Sequence, residues 1–475
     1  MLFNSFHFVI FFLVVGISYF LIPIRFRWIH LLVASCYFYM VYIPIYILIL
    51  GFTIVIDYFA GIYIEISHGR RRKLYLIISL IANIGVLVFF KYYNFLNDSL
   101  TSVLHGAGSV NPIPKLDIIL PIGLSFHTFQ AMSYTIEVFR GNQKAERHFG
   151  IYSLYVMFFP QLVAGPIERP QNLLHQFYEN HKFECKRVVS GLKLMLWGLF
   201  MKLVIADRLG IFVDAVYENS MLHSGKTLAL ATFFFSIQIY CDFAGYSNIA
   251  IGSARVLGFD LMTNFNRPYF ARSVSEFWRR WHISLSTWFK DYLFISMGGN
   301  RVGAMRLYSN LLTVFLISGL WHGANWTFLI WGGLNGCYLI LESFLSVFSH
   351  RCRAFFHLTP IGALSVLKIF ITYSLIGFSW IFFRCKTAEE GLHILERICR
   401  FEGDLFYDSP STILFCILSI LILFTIETIL EIKSVVFIKF WEARSYVRYL
   451  FYVGLVILIL TMGVFDGGQF IYFQF

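Results

Sequence analysis

Charged side chains are scarce in this sequence: Asp, Glu, Lys and Arg make up 14% of its 475 residues, against 58% hydrophobic residues. A soluble domain usually carries about 25% charged residues, so the composition excludes an ordinary water-soluble protein. Aromatic residues reach 19% and the mean hydropathy is +0.69. The apolar residues fall in runs of about 20, the length that crosses a bilayer core. The sequence therefore predicts an all-α polytopic membrane protein.

The sequence also lacks the cysteine and leader patterns that mark other classes of protein. Its eight cysteines are scattered and include no CxxC pair, which favours neither a disulfide framework nor a zinc site. The first residues carry no positive cluster ahead of their apolar run and no small-residue cleavage site. We therefore expect a retained first span and not a cleaved signal peptide.

The formal charge of +11 does not indicate nucleic-acid binding, because the basic residues lie in short loops between apolar runs, where membrane topology places them. Basic loops at 24–28, 66–73 and 139–150 alternate with loops 43–45 and 97–115, which are poor in Lys and Arg. Basic loops of a membrane protein stay in the cytoplasm. This alternation predicts an N-terminus outside the cytoplasm.

We predict eleven to twelve spans in one integral-membrane domain, 1–475, with an N-terminal helical wall (1–150), a core containing re-entrant segments (151–348) and a C-terminal helical wall (349–475). The stretch 158–170 is too short and too rich in proline to span, so we expect a re-entrant hairpin buried in protein. The predicted spans lie at about 5–23, 28–65 (two spans, divided near Tyr42–Pro44), 74–95, 120–139, 190–206, 227–250, 308–322, 326–348, 363–383, 411–431 and 446–465.

The stretch from Arg267 to Trp326 combines basic residues, tryptophans and two histidines, His282 and His322. It begins within loop 251–306, where eight Lys or Arg outnumber three acidic residues, so this loop is also predicted to be cytoplasmic. Ionisable side chains at membrane depth are costly, and a pair of them indicates function.

His322, in GLWHGANW, is either a packed core histidine or a general base. Gly319 and Gly323 have no side chains, so the helix surface beside His322 leaves room for a ligand or a second backbone. Asn325 and Trp326 lie three and four residues further on, so we expect them to share its helical face. Desolvation keeps an imidazole neutral and able to accept a proton from a hydroxyl group.

His282, in EFWRRWHISLSTWF, lies on an amphipathic stretch where Trp278, His282 and Leu285 share one face. Arg279 and Arg280 can turn to lipid headgroups or to an anionic ligand. One interpretation is an interfacial helix with an aromatic belt. The other is a re-entrant element that places a second imidazole in the same cavity as His322. Two histidines without nearby cysteines or clustered carboxylates make a poor metal site, so we expect no metal.

Asp242, in YCDFAGYSNIAIG, is predicted to lie within or at the end of a span. A polar group there must be satisfied, so Asp242 faces protein or a cavity. A structural hydrogen bond and a contact with a substrate both fit this position. The sequence has no GxSxG elbow, which argues against a serine hydrolase.

Several motifs together resemble the membrane-bound O-acyltransferase family, in the bacterial branch that O-acetylates alginate or peptidoglycan. The similarity extends in order over nearly the whole chain. The motifs are PIGLSFHTFQAMSY, PQLVAGPIERP, SEFWRRWHISLSTWFKDYLFISMGGNR, GLWHGANWTFLIWGGLNG and QFIYFQF.

The resemblance implies helices around a central tunnel, with His322 as the indispensable histidine and His282 assisting it. It implies acetyl-CoA as a cytoplasmic donor substrate and no permanently bound cofactor. Loop 251–306 would attract the donor phosphates, and Asn325 is a candidate oxyanion donor. Further candidates for substrate or donor binding are Trp321, Trp278, Arg279, Arg280 and Asp242.

The resemblance also implies an acceptor hydroxyl outside the cytoplasm, in a periplasmic partner protein or a polysaccharide, and a bacterial inner-membrane location among lipids. The longest outside loops, 97–115 and 384–410, are too small to form that partner. Direct transfer and a covalent acyl intermediate both remain open. The alternatives are D-alanyl transfer to teichoic acid within the same family, a transporter that exports an acylated glycan, and a membrane scaffold.

Overall fold

The computed structural model describes residues 1–356, 362–407, 409–432, 444–465 and 470–471, with the side chains of 346–356 and 362–363 left aside. These residues form helices, turns and loops, with no strand among them. The α-helices are α1 (Phe6–Leu21), α2 (Ile24–Met40), α3 (Ile47–Ile66), α4 (Gly69–Leu87), α5 (Tyr93–Gly106), α6 (Leu124–Arg140), α7 (Phe149–Met157), α8 (Pro170–Leu173), α9 (Cys185–Leu199), α10 (Asp207–Tyr217), α11 (Gly225–Leu257), α12 (Val274–Arg280), α13 (Ile283–Trp288), α14 (Ala304–His322), α15 (Trp326–Phe356), α16 (Gly362–Arg384), α17 (Ala388–Arg400), α18 (Pro410–Ile432) and α19 (Ser445–Met462).

Within the described ranges, eight helical segments are long and apolar enough to cross a membrane, and α1 is a shorter apolar helix. The protein is therefore a multi-pass membrane protein, and the predicted all-α polytopic fold class is confirmed. Each predicted span contains an α-helix. The eight segments are Pro44–Ile66, Gly69–Gly106, Cys185–Tyr217, Gly225–Leu257, Trp326–Leu345, Leu364–Arg384, Pro410–Ile432 and Ser445–Met462.

Two details of the N-terminal region test the predicted boundaries. The apolar run 28–65 divides where expected, because α2 ends at Met40 and a 3₁₀ turn at Pro44–Tyr46 precedes α3. The prediction that 97–115 is entirely loop is wrong, because α5 continues to Gly106. Asn97 supports this extension: its amide donates to the backbone oxygens of Ile113 and Pro114, both at 3.2 Å. The loop that follows α5 therefore accepts the hydrogen bonds of the Asn97 amide.

The first compact unit comprises Met1–Met195 and Tyr246–Met262. Its interior contains Asp57, whose carboxylate accepts hydrogen bonds from the Ser79 hydroxyl at 2.6 Å and the Asn83 amide at 2.8 Å. A buried carboxylate needs such partners, because no water replaces them.

The stretch 158–168 of this unit is buried and non-helical, as predicted for 158–170. Gly165 allows the tight turn there, because an added Cβ would lie 2.3 Å from Cα of Gln161. Glu168 accepts hydrogen bonds from the backbone nitrogen of Met262 and, at 3.4 Å, from the Asn172 amide. Buried carbonyl and carboxylate groups of this stretch therefore find partners within the same unit.

The second compact unit comprises Leu196–Gly245 and Thr263–Phe475. Its core includes three fully buried tryptophans, Trp281, Trp331 and Trp380. Helices α14 and α15 pack closely through Gly319 and Gly332, where an added Cβ would lie 2.2 Å and 2.3 Å from the backbone oxygens of Phe328 and Phe315. The small residues let two backbones approach, as is common between membrane helices. The packing holds the end of α14 at the site described next.

Candidate functional site

The two histidines singled out by the sequence lie in one cavity of the second unit. The ring centroids of His282 and His322 are 6.4 Å apart, and their planes are inclined at 63°. Both side chains are buried, and both line a cavity of about 280 Å³. The structure thus brings together two imidazoles that lie 40 positions apart in the sequence.

His282 stands at a break between two short helices. Helix α12 ends at Arg280, and His282 has φ +42° in the left-handed region before α13 begins. A non-glycine residue in this region is strained by about 1–2 kcal/mol. Trp278, His282 and Leu285 do line the same cavity, but the expectation of one continuous helical face is wrong, because the chain turns sharply at His282.

Asn264 holds this turn. Its side-chain oxygen accepts from the backbone nitrogen of Ser284 at 3.1 Å and from the Ser284 hydroxyl at 2.9 Å, and it lies 3.2 Å from Nδ1 of His282. Since a backbone N–H can only donate, the atom facing it is the amide oxygen, and Nδ1 of His282 must carry the proton. Nε2 of His282 is therefore the nitrogen with the lone pair. Burial lowers the pKa of His282 to about 3, so the ring is neutral at physiological pH.

His322 is the last residue of α14. Gly323 leaves the helix with φ −158°, and an added Cβ there would lie 2.0 Å from the Phe328 ring. The space beside Gly319 is filled by the backbone of α15. The glycine pattern predicted either a ligand or a second backbone there. Aromatic rings surround the imidazole: Trp321, Trp331 and Phe383 have centroids at 4.9, 5.1 and 5.4 Å. Packing on these sides fixes the ring.

Asn325 and Trp326 do not share a helical face with His322, because α14 ends before them. The Asn325 amide donates to the backbone oxygen of Lys386 at 2.9 Å, and its oxygen accepts from the backbone nitrogen of Thr327 at 3.1 Å. Trp326 is 58% exposed. The predicted helical face shared by His322, Asn325 and Trp326 is therefore wrong. The geometry gives Asn325 a capping role at the start of α15. Its proposed role as an oxyanion donor stays a prediction.

The rest of the cavity lining is mostly apolar. It includes Trp278, Trp281, Phe289 and Phe315, together with two cationic side chains, Arg279 and Lys290. Both cations are exposed, so they mark the side of the cavity that meets solvent or headgroups. An apolar pocket with a few polar groups is the usual form of a small-molecule site.

Arg280 differs from Arg279, its neighbour in sequence. Its guanidinium donates to carboxylates of Glu276 and Glu431 at 2.7 and 2.8 Å. Arg267 pairs with the same Glu431 at 2.7 Å. These ion pairs tie α12 to α18, so the structure gives Arg280 a role in holding α12, whereas Arg279 faces the cavity.

Asp242 is buried in an ionic cluster of the second unit. One carboxylate oxygen lies 2.6 Å from Nζ of Lys202, which also pairs with Asp207 at 2.7 Å. The other oxygen accepts from the backbone nitrogen of Ile471 at 2.7 Å. Of the two interpretations of Asp242, the structure favours the structural one. The cluster ties α11 to the segment at Ile471.

Sequence reasoning missed Asn264, Lys202 and Glu431, and it missed Trp331 and Trp380, which stack at 5.7 Å behind His322. The signal for Lys202 was present, because a lysine inside an apolar run requires a carboxylate partner. Asn264 carried no signal, since an asparagine in a loop has no periodicity. Among the described residues, no three His, Cys, Asp or Glu side chains could together hold a metal ion.

Comparison with known proteins supplies the family. The model of the membrane-bound O-acyltransferase (MBOAT) family matches residues 143–383, a range that contains both histidines. The probable alginate O-acetylase AlgI of Pseudomonas aeruginosa is 37% identical over 405 residues, which are 84% of this chain and 75% of that protein.

Two further relatives bear on the branch of the family. The peptidoglycan O-acetyltransferase of Helicobacter pylori is 35% identical over 436 residues, covering 85% of this chain and 80% of that protein. The teichoic acid D-alanyltransferase of Streptococcus thermophilus is 30% identical over 234 residues, covering 46% of this chain and 56% of that protein. The chain therefore belongs to the membrane-bound O-acyltransferase family, and it is an acyltransferase enzyme.

Proposed function

We propose that this protein is an O-acetyltransferase that moves an acetyl group from cytoplasmic acetyl-CoA to a hydroxyl group of an exported polysaccharide. The observation that carries the proposal is the convergence of two buried imidazoles, His282 and His322, in one apolar cavity. The relatives' names supply the acetyl group and the polysaccharide, since they are called alginate O-acetylase and peptidoglycan O-acetyltransferase.

The chemistry requires a base for the acceptor hydroxyl. The hydroxyl oxygen attacks the thioester carbonyl carbon, its proton passes to the imidazole of His322, and the C–S bond breaks. The proton then goes to the leaving thiolate, so that the products are an O-acetyl ester and free CoA. General base catalysis of this kind contributes about 10²–10⁴-fold. His282, held neutral with its lone pair on Nε2, orients or polarises the hydroxyl by accepting its hydrogen bond before the proton passes to His322.

In this proposal acetyl-CoA is held by the negative charge of its phosphates and by the uncharged arm that carries the thioester. Arg279 and Lys290 stand at the cavity, and guanidinium and ammonium groups bind phosphates well. The apolar lining between these cations and the imidazoles suits the uncharged arm that carries the thioester. We place the donor phosphates at Arg279 and Lys290 and the thioester near His322.

Acetyl transfer is preferred to D-alanyl transfer because the similarity to the O-acetylating relatives is greater and longer than that to the teichoic acid enzyme. We place the protein in a bacterial inner membrane with its N-terminus outside, as the basic loops predict. A periplasmic partner protein would then take the acetyl group and complete transfer to the polymer.

The test uses the full chain purified in detergent with acetyl-labelled CoA. Acceptors are polymannuronate, peptidoglycan glycan strands and a buffer blank, each with and without a periplasmic extract of the source cells. We expect label in one polymer as a base-labile ester, together with release of CoA. A dependence on the extract would support the partner protein.

Three other outcomes would change the proposal. Label retained on the protein before transfer would indicate a covalent acyl intermediate. Transfer of D-alanine from a carrier protein, without transfer from acetyl-CoA, would place the chain in the teichoic acid branch. No transfer in any arm, with uptake of glycan into proteoliposomes, would favour a transporter.

A further inference from the structure

The left-handed turn at His282 is clamped from both sides by the segment that contains Asn264. The backbone oxygen of Asn264 accepts from the nitrogen of Ile283 at 2.9 Å, and the nitrogen of Asn266 donates to the oxygen of Arg280 at 2.9 Å. The Asn264 side-chain oxygen lies within hydrogen-bond reach of three groups on His282 and Ser284. Asn264 is itself fully buried. Strained conformations persist only where the surroundings hold them.

We propose that Asn264 is a positioning residue for catalysis, which fixes His282 as the tautomer with its lone pair on Nε2. This inference rests on the proposed acetyltransferase function. The amide oxygen is obliged to accept by the backbone N–H of Ser284, so it cannot turn its NH₂ group toward the ring without leaving that donor unpaired. A histidine whose partner fixes one nitrogen presents a defined second nitrogen to the substrate.

The other ionisable groups around His282 do not set its tautomer. His322 is too far away for a direct hydrogen bond, with a centroid distance of 6.4 Å. Arg279 and Lys290 line the same cavity, but as cations they can only donate. Asp242 precedes Phe243, whose ring packs against His282 at 4.5 Å, and its carboxylate is paired with Lys202. Asn264 thus offers the position and the acceptor that Nδ1 of His282 needs.

Two substitutions separate this role from a structural one. Asn264→Ala removes the acceptor, and we expect kcat to fall on the order of 10²-fold with KM for acetyl-CoA unchanged. Asn264→Asp keeps an acceptor for Nδ1–H and adds a charge that raises the pKa of His282 by about one to three units. We therefore expect activity near that of the wild type at high pH, with an acidic limb of kcat shifted to higher pH by that amount.

Controls make the outcome decisive. Asn310→Ala removes a buried amide of α14 that donates to the backbone oxygen of Met297 at 3.2 Å and serves as the matched control, with wild-type kcat and pH profile expected. Thermal unfolding shows whether each variant folds. Wild-type kcat and pH profile in both Asn264 variants would overturn the proposal. So would an Asn264→Asp variant that folds but is as inactive as Asn264→Ala at every pH.

A second measurement does not depend on acetyl transfer. Diethylpyrocarbonate modifies neutral imidazoles, and peptide mass spectrometry gives the rate at His282 as a function of pH. We expect Asn264→Asp to shift that titration upward relative to the wild type, and an unshifted titration contradicts the proposal. If the wild-type chain transfers no acetyl group, the proposed function fails, and this titration alone decides the role of Asn264.

Discussion

The ring centroids of His282 and His322 lie 6.4 Å apart with the ring planes inclined at 63°, which is too far for a hydrogen bond between ring nitrogens. His282 directly precedes α13 and His322 ends α14, so the spacing depends on how these two helices pack. Under the proposed function, the acceptor hydroxyl would lie between the two rings. This geometry suits a base and an orienting group that act on the same atom.

The first prediction concerns the two histidines. His322→Ala should lower kcat for acetyl transfer by at least about 10³-fold, and His282→Ala should lower it by about 10²-fold. Because both act on one hydroxyl, the double variant should be no less active than His322→Ala alone. His223→Ala, a histidine of the same unit that packs on Phe406 at 4.8 Å, is the control. Single-turnover assays on folded protein measure each rate; losses that multiply would refute a shared target.

The second prediction uses two adjacent glycines of α15. An added Cβ at Gly332 would lie 2.3 Å from the Phe315 oxygen, whereas at Gly333 it would meet only a side-chain carbon of Leu316 at 3.7 Å. Gly332→Ala should force α14 and α15 apart, cost about 1–3 kcal/mol and lower activity by displacing His322. Gly333→Ala should leave activity unchanged and stabilise the helix by up to about 1 kcal/mol. Melting temperature and kcat test both; equal effects would contradict close backbone packing.

The helices of this chain are largely predictable from its sequence, whereas the site is predictable only in part. Apolar runs and prolines located the helices, including the division near Pro44, because each signal is local. The glycines beside His322 predicted either a ligand or a second backbone; Gly319 meets the backbone of α15, and Gly323 meets the Phe328 ring. The predicted span 308–322 ends at His322, as α14 does, but the helical spacing was extended past that end to Asn325 and Trp326, and this made their placement wrong.

The turn at His282 could not be read from the sequence. WRRWHISLSTWF has the periodicity of one helix, and local preference disfavours a left-handed histidine. The turn is imposed by Asn264 and Asn266, which hold it through contacts that no local pattern encodes. Arg280 and Asp242 each have one partner over 150 residues away in the chain, at Glu431 and Ile471, so these contacts also required the tertiary structure.

The third prediction concerns the buried cluster of Lys202, Asp207 and Asp242. Lys202→Met leaves two buried carboxylates without their cation, and we expect a loss of about 3–5 kcal/mol in unfolding free energy. Asp242→Asn should cost less, because Lys202 keeps Asp207 and the amide oxygen still accepts from Ile471. Lys115→Met, which breaks the exposed Lys115–Asp98 pair, is the control and should cost less than about 1 kcal/mol. Denaturation in detergent ranks the three variants; equal losses would argue against a buried cluster.

The fourth prediction is a pH dependence of stability. Burial raises the pKa of Glu168 from 4.5 to about 7, so between these values the folded state holds more protons than the unfolded state. The free energy of unfolding must then fall as pH rises from 4.5 to 7, by about 3 kcal/mol in all. Below 4.5 both states are protonated, and above 7 the loss is complete.

Glu168→Gln isolates this contribution, because the amide oxygen can still accept from the backbone nitrogen of Met262. Its melting temperature should exceed that of the wild type by an amount that grows between pH 4.5 and 7. Glu179→Gln, at an exposed position, should follow the wild-type curve. A constant difference between Glu168→Gln and the wild type at every pH would mean that Glu168 does not titrate in this range.

The fifth prediction concerns the cations at the cavity. If Arg279 and Lys290 hold the donor phosphates, Arg279→Ala and Lys290→Ala should each raise KM for acetyl-CoA, by about 5–10-fold at low salt, with little change in kcat. Salt screens exposed charges, so KM of the wild type should rise with ionic strength and that of the double variant should rise less.

Arg272 provides the matched control, because it is an exposed arginine two residues before α12 begins and does not line the cavity. Arg272→Ala should keep the wild-type KM, which separates a local contact with phosphate from a general effect of positive charge. A rise in KM for Arg272→Ala equal to that for Arg279→Ala would indicate long-range attraction by loop 251–306 as a whole. An unchanged KM in all three variants would place the donor phosphates elsewhere, while leaving the roles of His282 and His322 to their own test.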